Sequence, residues 1–423
     1  MASRPCSADA RHMFDGMAMN GRGKSVAMSG GSIDALPDGI LENILGFVPA
    51  PEAVRTCVVA RRWRDLWKRA TGLRITCVAD DVGKTETMKE RRKFVENLLR
   101  LRGSTPLETC DLRFGNFYDN DDELLLNRWF RHIVACRVRI FRLENLWSDG
   151  FRLEGPPLVS QHLMRLDLVG VYINSRLCDF SSCPFLEHLE IDACYCWSGV
   201  NISSKSLKHL ALKYCDFGAE FRALLHVPNL VSLTLDGHLS SAPVLGCMPS
   251  LQEAFVRVTH ENVRFRDPDD YLWSFGCDYD HCYSCDGIVH DNSTMSVLLE
   301  GLSGAENLAL LSQSKSFVFG RDLKQCPTFS KLKNLLLDEH WCVAPVFPAL
   351  TCILKHSPVL EKLTLQLFSK GPHHKMEMIG RCSSMNRSVA VSEHLKAIEI
   401  KCEVVDEEVH KVLRFLCSFN ICK

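Results

Sequence analysis

The chain has 423 residues, and its 50 lysines and arginines nearly balance its 51 aspartates and glutamates, giving a formal net charge of −1. This balance argues against a nucleic-acid-binding protein, because contacts to phosphates need a basic face. Apolar residues make up 46% of the chain, as in ordinary globular proteins, and the length leaves room for two or three domains or for one elongated repeat array.

The N-terminal segment shows no sign of secretion or of membrane insertion. Residues 1–31 lack an apolar core of signal-peptide length, and no run of 18 or more apolar residues occurs, so no membrane partner is expected. Three arginines in this segment favour a transit peptide, whereas two aspartates favour the alternative, a disordered leader over residues 1–31. The 21 cysteines are then expected to be reduced and mostly buried thiols in a cytoplasmic or nuclear protein.

Three short helices are predicted between residues 36 and 67. Pro37 can begin the first, whose apolar residues recur at helical spacing until Pro49 and Pro51 end it. The second contains three valines, and the third reads "ARRWRDLWKRA", with two tryptophans and a leucine on one side. Helices this short leave much of their apolar surface unpaired, so this surface is expected to meet a partner. The alternative is an ordinary helical cap on a larger domain.

The order "LPDGILENIL…F…P…AVRTCVVARRWRDLW" resembles the F-box motif in its common plant form and places an F-box at residues 32–72. The resemblance implies docking on a Skp-type adaptor, which joins the protein to a cullin-based ubiquitin ligase. One departure is Gly39, which stands where a helix former is expected and weakens the first turn by about 1 kcal/mol. The residues that match adaptor-facing positions are Leu36, Pro37, Ile40, Ile44, Leu45, Val58, Trp63 and Leu66.

After residue 100 an apolar-x-x-apolar-x-apolar pattern keeps returning. Between residues 163 and 251 it recurs at steps of 23, 21, 23 and 21 residues, the period of leucine-rich repeats, each a short strand followed by a returning loop or helix. Steps of 28 and 35 residues near the C-terminus, and the missing asparagine ladder, predict an irregular α/β solenoid. The pattern begins at residues 107, 138, 163, 186, 207, 230, 251, 308 (a poor match), 332, 360 and 395.

Several of these strands are preceded by a Cys or His close to a proline. The segments "HVPNL", "CMPSL" and "HSPVL" share this form, and "CPFL" and "CPTF" are close variants. Proline stops the returning segment and leads into an extended strand. The Cys and His side chains are interpreted as buried spacers rather than metal ligands, because they belong to different coils.

The C-terminal part, with "HSPVLEKLTL" followed by "IEIKCEVVDEEVHKVLRFL", resembles the FBD-type region of plant F-box/leucine-rich-repeat proteins. The implied organisation is a leucine-rich-repeat solenoid over residues 73–350, with an insertion at about 259–300, and an FBD-type region over residues 351–423. The segment "DEEVHKVLRFL" predicts an amphipathic helix that caps the last repeat. Its inward residues would be Val409, Val412, Leu413 and Leu416.

The insertion holds the one segment with metal-ligand spacing. Cys282 and Cys285 are separated by two residues, which is half of a zinc site, and Cys277 or His290 could complete it. A second pair with clean spacing is missing, so free cysteines in a loose loop remain the alternative. No phosphate-binding or dinucleotide-binding glycine motif and no nucleophile motif occurs, so no cofactor, no resident metal, no catalytic residue and no enzyme activity are predicted.

The leading hypothesis is therefore a substrate-recognition subunit of a Skp-cullin-F-box-type ubiquitin ligase. The F-box would dock on the adaptor, and the repeats would bind an unidentified target protein for ubiquitination. The target would lie against the concave strand face or the loops at one rim, and polar residues between the inward ones, Glu187, Lys208, Glu361 and Lys396, are candidates to line that surface. The alternatives are a solenoid receptor for a small-molecule ligand and a zinc-binding interaction protein built on the insertion.

Overall fold

A computed structural model of the chain describes residues 33–77, 85–115, 120–146, 151–197, 200–217, 223–238, 243–259, 298–313, 319, 322–342, 347–367 and 392–417. Helices and parallel strands make it an α/β protein, and it divides into two compact units, residues 1–148 and 149–423. The predicted leader lies outside the described residues. So does nearly all of the predicted insertion, including every candidate zinc ligand in it.

The first unit begins with the predicted short helices. Helix α1 is Asp38–Gly46, α2 is Ala50–Arg55 and α3 is Leu66–Arg69. Pro37 and Pro49 lie directly before α1 and α2. Proline has no N–H group, and at the start of a helix this loses no hydrogen bond, because the first N–H groups have no acceptor within the helix. Short 3₁₀ turns occupy Ile33–Ala35, Thr56–Val58 and Arg61–Arg64.

The third helix was predicted to be continuous, and this prediction is wrong. Asp65, at φ −120° and ψ −1°, interrupts it, so the segment forms a 3₁₀ turn followed by a single α turn. The interruption lets three large side chains enter the interior together: Trp63, Leu66 and Trp67 are 5%, 1% and 2% exposed. Burying both indole rings outweighs the loss of regular helix geometry in so short a segment.

Three parallel strands follow, β1 (Gly72–Cys77), β2 (Thr109–Phe114) and β3 (Ile140–Asn145). Helix α4 (Thr85–Arg102) connects β1 to β2, and α5 (Asn120–Ala135) connects β2 to β3. Alternate side chains of each strand are buried, as a period of two requires. Strand β1 was not predicted, because "GLRITC" lacks the recurring apolar spacing.

A buried arginine fixes α4 to the end of the short-helix region. Arg102 is 5% exposed, and its guanidinium donates to the carbonyl oxygens of Trp67 and Ala70, each at 2.8 Å. Burial lowers the pKa of Arg102, because the charged form loses water. The two carbonyl groups stand at the C-terminal end of α3, where a cationic donor satisfies orphan acceptors.

We expect Arg102→Met to destabilise the first unit by about 2 kcal/mol, because the carbonyls of Trp67 and Ala70 lose their buried donor. Urea unfolding followed by tryptophan fluorescence measures the change. Arg100→Met is the matched control, since Arg100 is exposed on the same helix and should change stability by less than about 0.5 kcal/mol. Equal midpoints for the two variants would contradict the anchoring role of Arg102.

The second unit contains a sheet of parallel strands that carry the predicted repeat motifs. Across both units, ten of the eleven predicted motifs overlap a strand that starts two residues after the motif does. The nine described strands of this sheet are β5 (Arg165–Val169), β7 (His188–Asp192), β10 (His209–Lys213), β12 (Ser232–His238), β14 (Glu253–Thr259), β15 (Asn307–Gln313), β16 (Asn334–Asp338), β17 (Lys362–Leu367) and β18 (Ala397–Cys402). They lie side by side in this order.

The poor motif at residue 308 is the exception, and the structure corrects its register. Strand β15 starts at Asn307, so the motif begins at Ala305 and reads "AENLAL". Ala305 is fully buried and takes the first apolar position, with Leu308 and Leu310 at the next two. A small side chain at the first position hid the pattern.

Shorter elements complete the second unit. The described residues also form two three-stranded parallel sheets that were not predicted, because strands of two to four residues carry too little periodicity. One sheet consists of β4 (Phe151–Leu153), β6 (Val171–Asn174) and β8 (Tyr195–Trp197), and the other of β9 (Asn201–Ser203), β11 (Leu224–His226) and β13 (Val244–Leu245). The helices are α6 (Leu299–Leu302), α7 (Phe347–Lys355) and α8 (Glu407–Cys417), and the 3₁₀ turns are Ser175–Cys178, Asp322–Gln325 and Glu339–Trp341.

The predicted C-terminal helix is confirmed as α8. Val409, Val412 and Leu416 are buried and Leu413 is half-buried. The expected burial of cysteines is confirmed for most of those described: all are free thiols, and 9 of these 15 are buried. In the described part of the chain, no helix has the length and apolarity needed to cross a bilayer.

Candidate partner-binding surface

Helix α1 presents an apolar stripe to solvent. Ile40, Ile44 and Phe47 are spaced four and three residues apart and are 46%, 37% and 70% exposed. Leu41 and Leu45 point the other way and are buried. We call Ile40, Ile44 and Phe47 the α1 stripe. An exposed row of large apolar side chains on one helix is typical of a surface that binds another protein.

Polar contacts fix the orientation of α1. Asp38 pairs with Arg62 at 2.7 Å, and Glu42 accepts from Arg69 Nε at 2.5 Å. The hydrogen bond to Glu42 raises the pKa of the Arg69 guanidinium. Exposed pairs of this kind contribute less than about 1 kcal/mol each. They use the polar side of α1 for contacts within the first unit, so the α1 stripe stays uncovered by them.

A second exposed apolar feature follows α2. Val58 and Val59 are each 70% exposed, and we call them the valine pair. Thr56 donates its hydroxyl to the carbonyl of Ala53 at 2.7 Å, which supports the turn before the valines. Cys57 lies between Thr56 and the valine pair and is half-buried, and burial raises the pKa of its thiol. The valine pair is therefore a second exposed apolar feature of the short-helix region.

These helices coincide with a known domain: residues 33–71 match the family profile described as the F-box domain. The chain contains an F-box domain. The resemblance drawn from the sequence is thus confirmed, and the matched range lies one residue inside the predicted range of 32–72 at each end.

The similarity of this chain to its relatives extends well beyond the F-box. The MEIOTIC F-BOX protein MOF of Oryza sativa subsp. japonica is 28% identical over 404 residues, which cover 86% of this chain and 79% of the rice protein. An F-box/FBD/LRR-repeat protein of Arabidopsis thaliana is 24% identical over 430 residues, covering 93% and 91% of the two chains. Another of that name and organism is 22% identical, with 78% of each chain covered.

The structure separates the predicted adaptor-facing residues of the F-box into two groups. Five of these residues are exposed or half-buried in the free chain, and three are buried. Fewer side chains are therefore open to a partner than the sequence pattern indicated. Phe47 and Val59, which were not in the predicted set, are also exposed, and their exposure is a property of the packed helices. The exposed or half-buried residues are Leu36, Pro37, Ile40, Ile44 and Val58, and the buried residues are Leu45, Trp63 and Leu66.

Two glycines set how closely the F-box packs on β1. A Cβ atom on Gly72 would lie 2.4 Å from the carbonyl oxygen of Gly46, and one on Gly46 would lie 2.6 Å from the Gly72 nitrogen. Only two residues without side chains allow this approach of the end of α1 to the start of β1. Sequence reasoning missed this contact, because the two glycines are 26 positions apart and belong to no motif.

The arrangement suits binding rather than bond chemistry. Each isoleucine of the α1 stripe would contribute roughly 0.5–1.4 kcal/mol if a partner buried its exposed part. Within the described residues, one group of Cys and His side chains is arranged to hold a metal ion, and it belongs to the second unit: Cys326, Cys352 and His356.

Proposed function

We propose that this protein is the substrate-recognition subunit of a Skp-cullin-F-box-type ubiquitin ligase. The observation that carries the proposal is the exposed α1 stripe on a domain that matches the F-box profile. The names of the relatives, F-box/LRR-repeat and F-box/FBD/LRR-repeat proteins, are consistent with this role. The partners would be a Skp-type adaptor, a cullin ligase through it, and a target protein, with no nucleic acid and no membrane involved.

Adaptor docking would use the exposed members of the predicted set, extended by Phe47 and Val59. Leu45, Trp63 and Leu66 would support this surface from beneath, because their burial fixes the helices that carry it. Burial of the α1 stripe and the valine pair on the adaptor would supply most of the affinity, as apolar anchors do in other helix-mediated interfaces.

We further propose that the parallel strands form an irregular leucine-rich-repeat solenoid, with the F-box before it and the FBD-type region at its end. The in-register parallel pairing of the strands in the second unit and the repeat spacing support this assignment. Helix α8 would cap the last repeat with its buried apolar face. The domain boundaries would be those inferred from the sequence: 1–31, 32–72, 73–350 and 351–423.

The target would bind on the open face of the strands in the second unit. A groove of about 450 Å³ there is lined by β12 and β14 to β18 and includes Phe255, Asn334, Lys362 and Glu399. An aromatic ring among polar and charged groups is typical of protein-binding surfaces. A small-molecule ligand in this groove is the second candidate, since its volume falls within the range of ligand pockets, roughly 300–1,000 Å³.

The four polar residues predicted to contact the target pair with one another in two ion pairs. Lys208 Nζ lies 2.5 Å from Glu187, and Lys396 Nζ lies 2.6 Å from Glu361. Lys396 and Glu361 precede β18 and β17, and Lys208 and Glu187 precede β10 and β7. These exposed pairs would set charge complementarity with the target rather than stability, because surface pairs contribute little to folding.

The mechanism would be positioning. The F-box would place the bound target near the ubiquitin-loaded enzyme of the complex and raise the effective concentration of the target lysines. The chain would supply no catalytic group or cofactor of its own. Such a complex would act in the cytoplasm, the nucleus or both.

Calorimetric titration of the full chain with a purified Skp-type adaptor tests the proposal. We expect a saturable one-to-one complex whose formation has a negative heat-capacity change, since apolar surface is buried. A folded chain that gives no complex with any Skp-type adaptor of a plant would contradict it. Loss of ubiquitination of captured proteins on F-box deletion would test the ligase role separately.

A further inference from the structure

Three side chains that chelate soft metals meet in the second unit. Cys326, Cys352 and His356 each place one ligand atom within 4.8 Å of the ligand atoms of the other two. Among the residues that the structure describes, this is the one group of three or more His, Cys, Asp or Glu side chains so arranged. Sequence position suggested that Cys326 and His356 are spacers in different coils, and it did not single out Cys352, but the fold brings the three together.

The backbone holds the two segments that carry these residues. Cys352 lies in the last turn of α7, and His356 follows four residues later, so both face the same side. The Phe329 N–H donates to the His356 carbonyl at 2.8 Å, which fixes the segment after Cys326 beside the end of α7. Buried Phe329 and Ile353 secure both segments, so the three side chains are supported by a rigid scaffold.

The spacing matches what a tetrahedral zinc site requires. Zn–S bonds of about 2.3 Å and Zn–N bonds of about 2.0 Å place neighbouring ligand atoms roughly 3.5–3.8 Å apart. Cys352 Sγ lies 3.9 Å from His356 Nδ1, and no pair of ligand atoms exceeds 4.8 Å. Closing onto a zinc ion therefore needs side-chain movements of about 1 Å, without a change of the backbone.

His356 Nδ1 lies 2.8 Å from the Cys352 carbonyl oxygen. A zinc ion bound at Nδ1 would replace this hydrogen bond, because a ring nitrogen that donates a proton has no lone pair for a metal.

We propose that Cys326, Cys352 and His356 form a zinc-binding site with a fourth coordination position left for water or an added ligand. Two sulfurs and one imidazole nitrogen are a donor set that selects zinc over hard cations such as magnesium or calcium. All three residues are half-buried, so an ion can reach them. The site would fix α7 to the segment before β16, and it does not depend on adaptor binding.

Titration with Co²⁺ and Zn²⁺ of the reduced, chelator-treated full chain tests the site. The background should carry Cys282→Ser and Cys285→Ser, because that cysteine pair could bind zinc independently. We expect one metal equivalent in this background, with the sulfur-to-cobalt charge-transfer band and the intense visible bands of tetrahedral cobalt. Competition with a chromophoric chelator gives the zinc affinity.

Cys352→Ser should weaken zinc binding by about 100-fold or more and remove about half of the charge-transfer intensity, since one of the two thiolate ligands is lost. His356→Gln should weaken binding while keeping the charge-transfer band, which a general folding defect would not do. Cys247→Ser is the matched control, because Cys247 is exposed and outside the group. Failure of the background chain to bind one equivalent, or an unchanged cobalt spectrum in both site variants, would overturn the proposal.

Discussion

Ile40→Asp combined with Ile44→Asp is expected to weaken binding of the Skp-type adaptor by about 100-fold or more, without unfolding the protein. Both side chains lie in the α1 stripe and are 46% and 37% exposed, so the folded chain tolerates carboxylates there. In a complex the two carboxylates would be buried against apolar surface. The loss of two anchors, each contributing roughly 0.5–1.4 kcal/mol, and the added cost of desolvating two carboxylates both oppose binding.

Titration calorimetry or surface plasmon resonance with the purified adaptor measures this change. Ile140→Asp is the matched control, since Ile140 is 43% exposed but lies on β3, outside the F-box. It should bind the adaptor like the unchanged chain. If the double variant kept full affinity and the circular dichroism spectrum of the unchanged chain, docking through the α1 stripe would be ruled out.

Gly72→Ala is expected to destabilise the first unit by about 3 kcal/mol and to weaken adaptor binding as a consequence. The added Cβ would lie 2.4 Å from the Gly46 carbonyl oxygen and 2.9 Å from its carbon, closer than real Cβ contacts. These are backbone atoms, so no side-chain rotation relieves the overlap, and α1 must move away from β1. The α1 stripe would move with the helix.

Gly39→Ala on α1 should have the opposite effect on the stability of the first unit. A Cβ there meets nothing within 4 Å, and Gly39 lies in the first turn of α1, so alanine should stabilise by about 0.5–1 kcal/mol. Urea unfolding of the three proteins gives the order Gly72→Ala, unchanged chain, Gly39→Ala. A Gly72→Ala variant as stable as the unchanged chain would show that the end of α1 and β1 separate at no cost.

Periodic patterns in the sequence predicted most of the repeat strands. The apolar spacing inside each motif placed ten of eleven strands, since burial of one strand face depends on local residues. The steps of 21 to 23 residues, which apply between residues 163 and 251, identified the repeat. The pattern failed at β15 because its first apolar position is Ala305, and a small buried residue cannot be told from a surface residue by sequence. The short strands of the two small sheets carried no pattern at all.

The exposed surface of the F-box could be predicted only in part. The motif located the short helices, and α1 begins directly after Pro37 and ends before Pro49, as predicted. Which residues remain exposed depended on packing: Trp63 and Leu66 turned inward, whereas Phe47 and Val59 stayed outside. Apolar residues of equal hydrophobicity cannot be divided into core and surface by spacing when the helices span only one or two turns.

The sequence by itself determined that this chain is an α/β protein with an F-box at its beginning and repeating strands after it, because hydrophobic periodicity and proline positions are local signals. Only the tertiary structure decided the contacts between distant positions. Arg102 meets the carbonyls of α3, Gly46 meets Gly72, and Cys326 meets Cys352. The residues in each of these contacts are separated by 26 to 35 positions in the sequence. Whether they meet depends on how the elements pack, which no local pattern indicates.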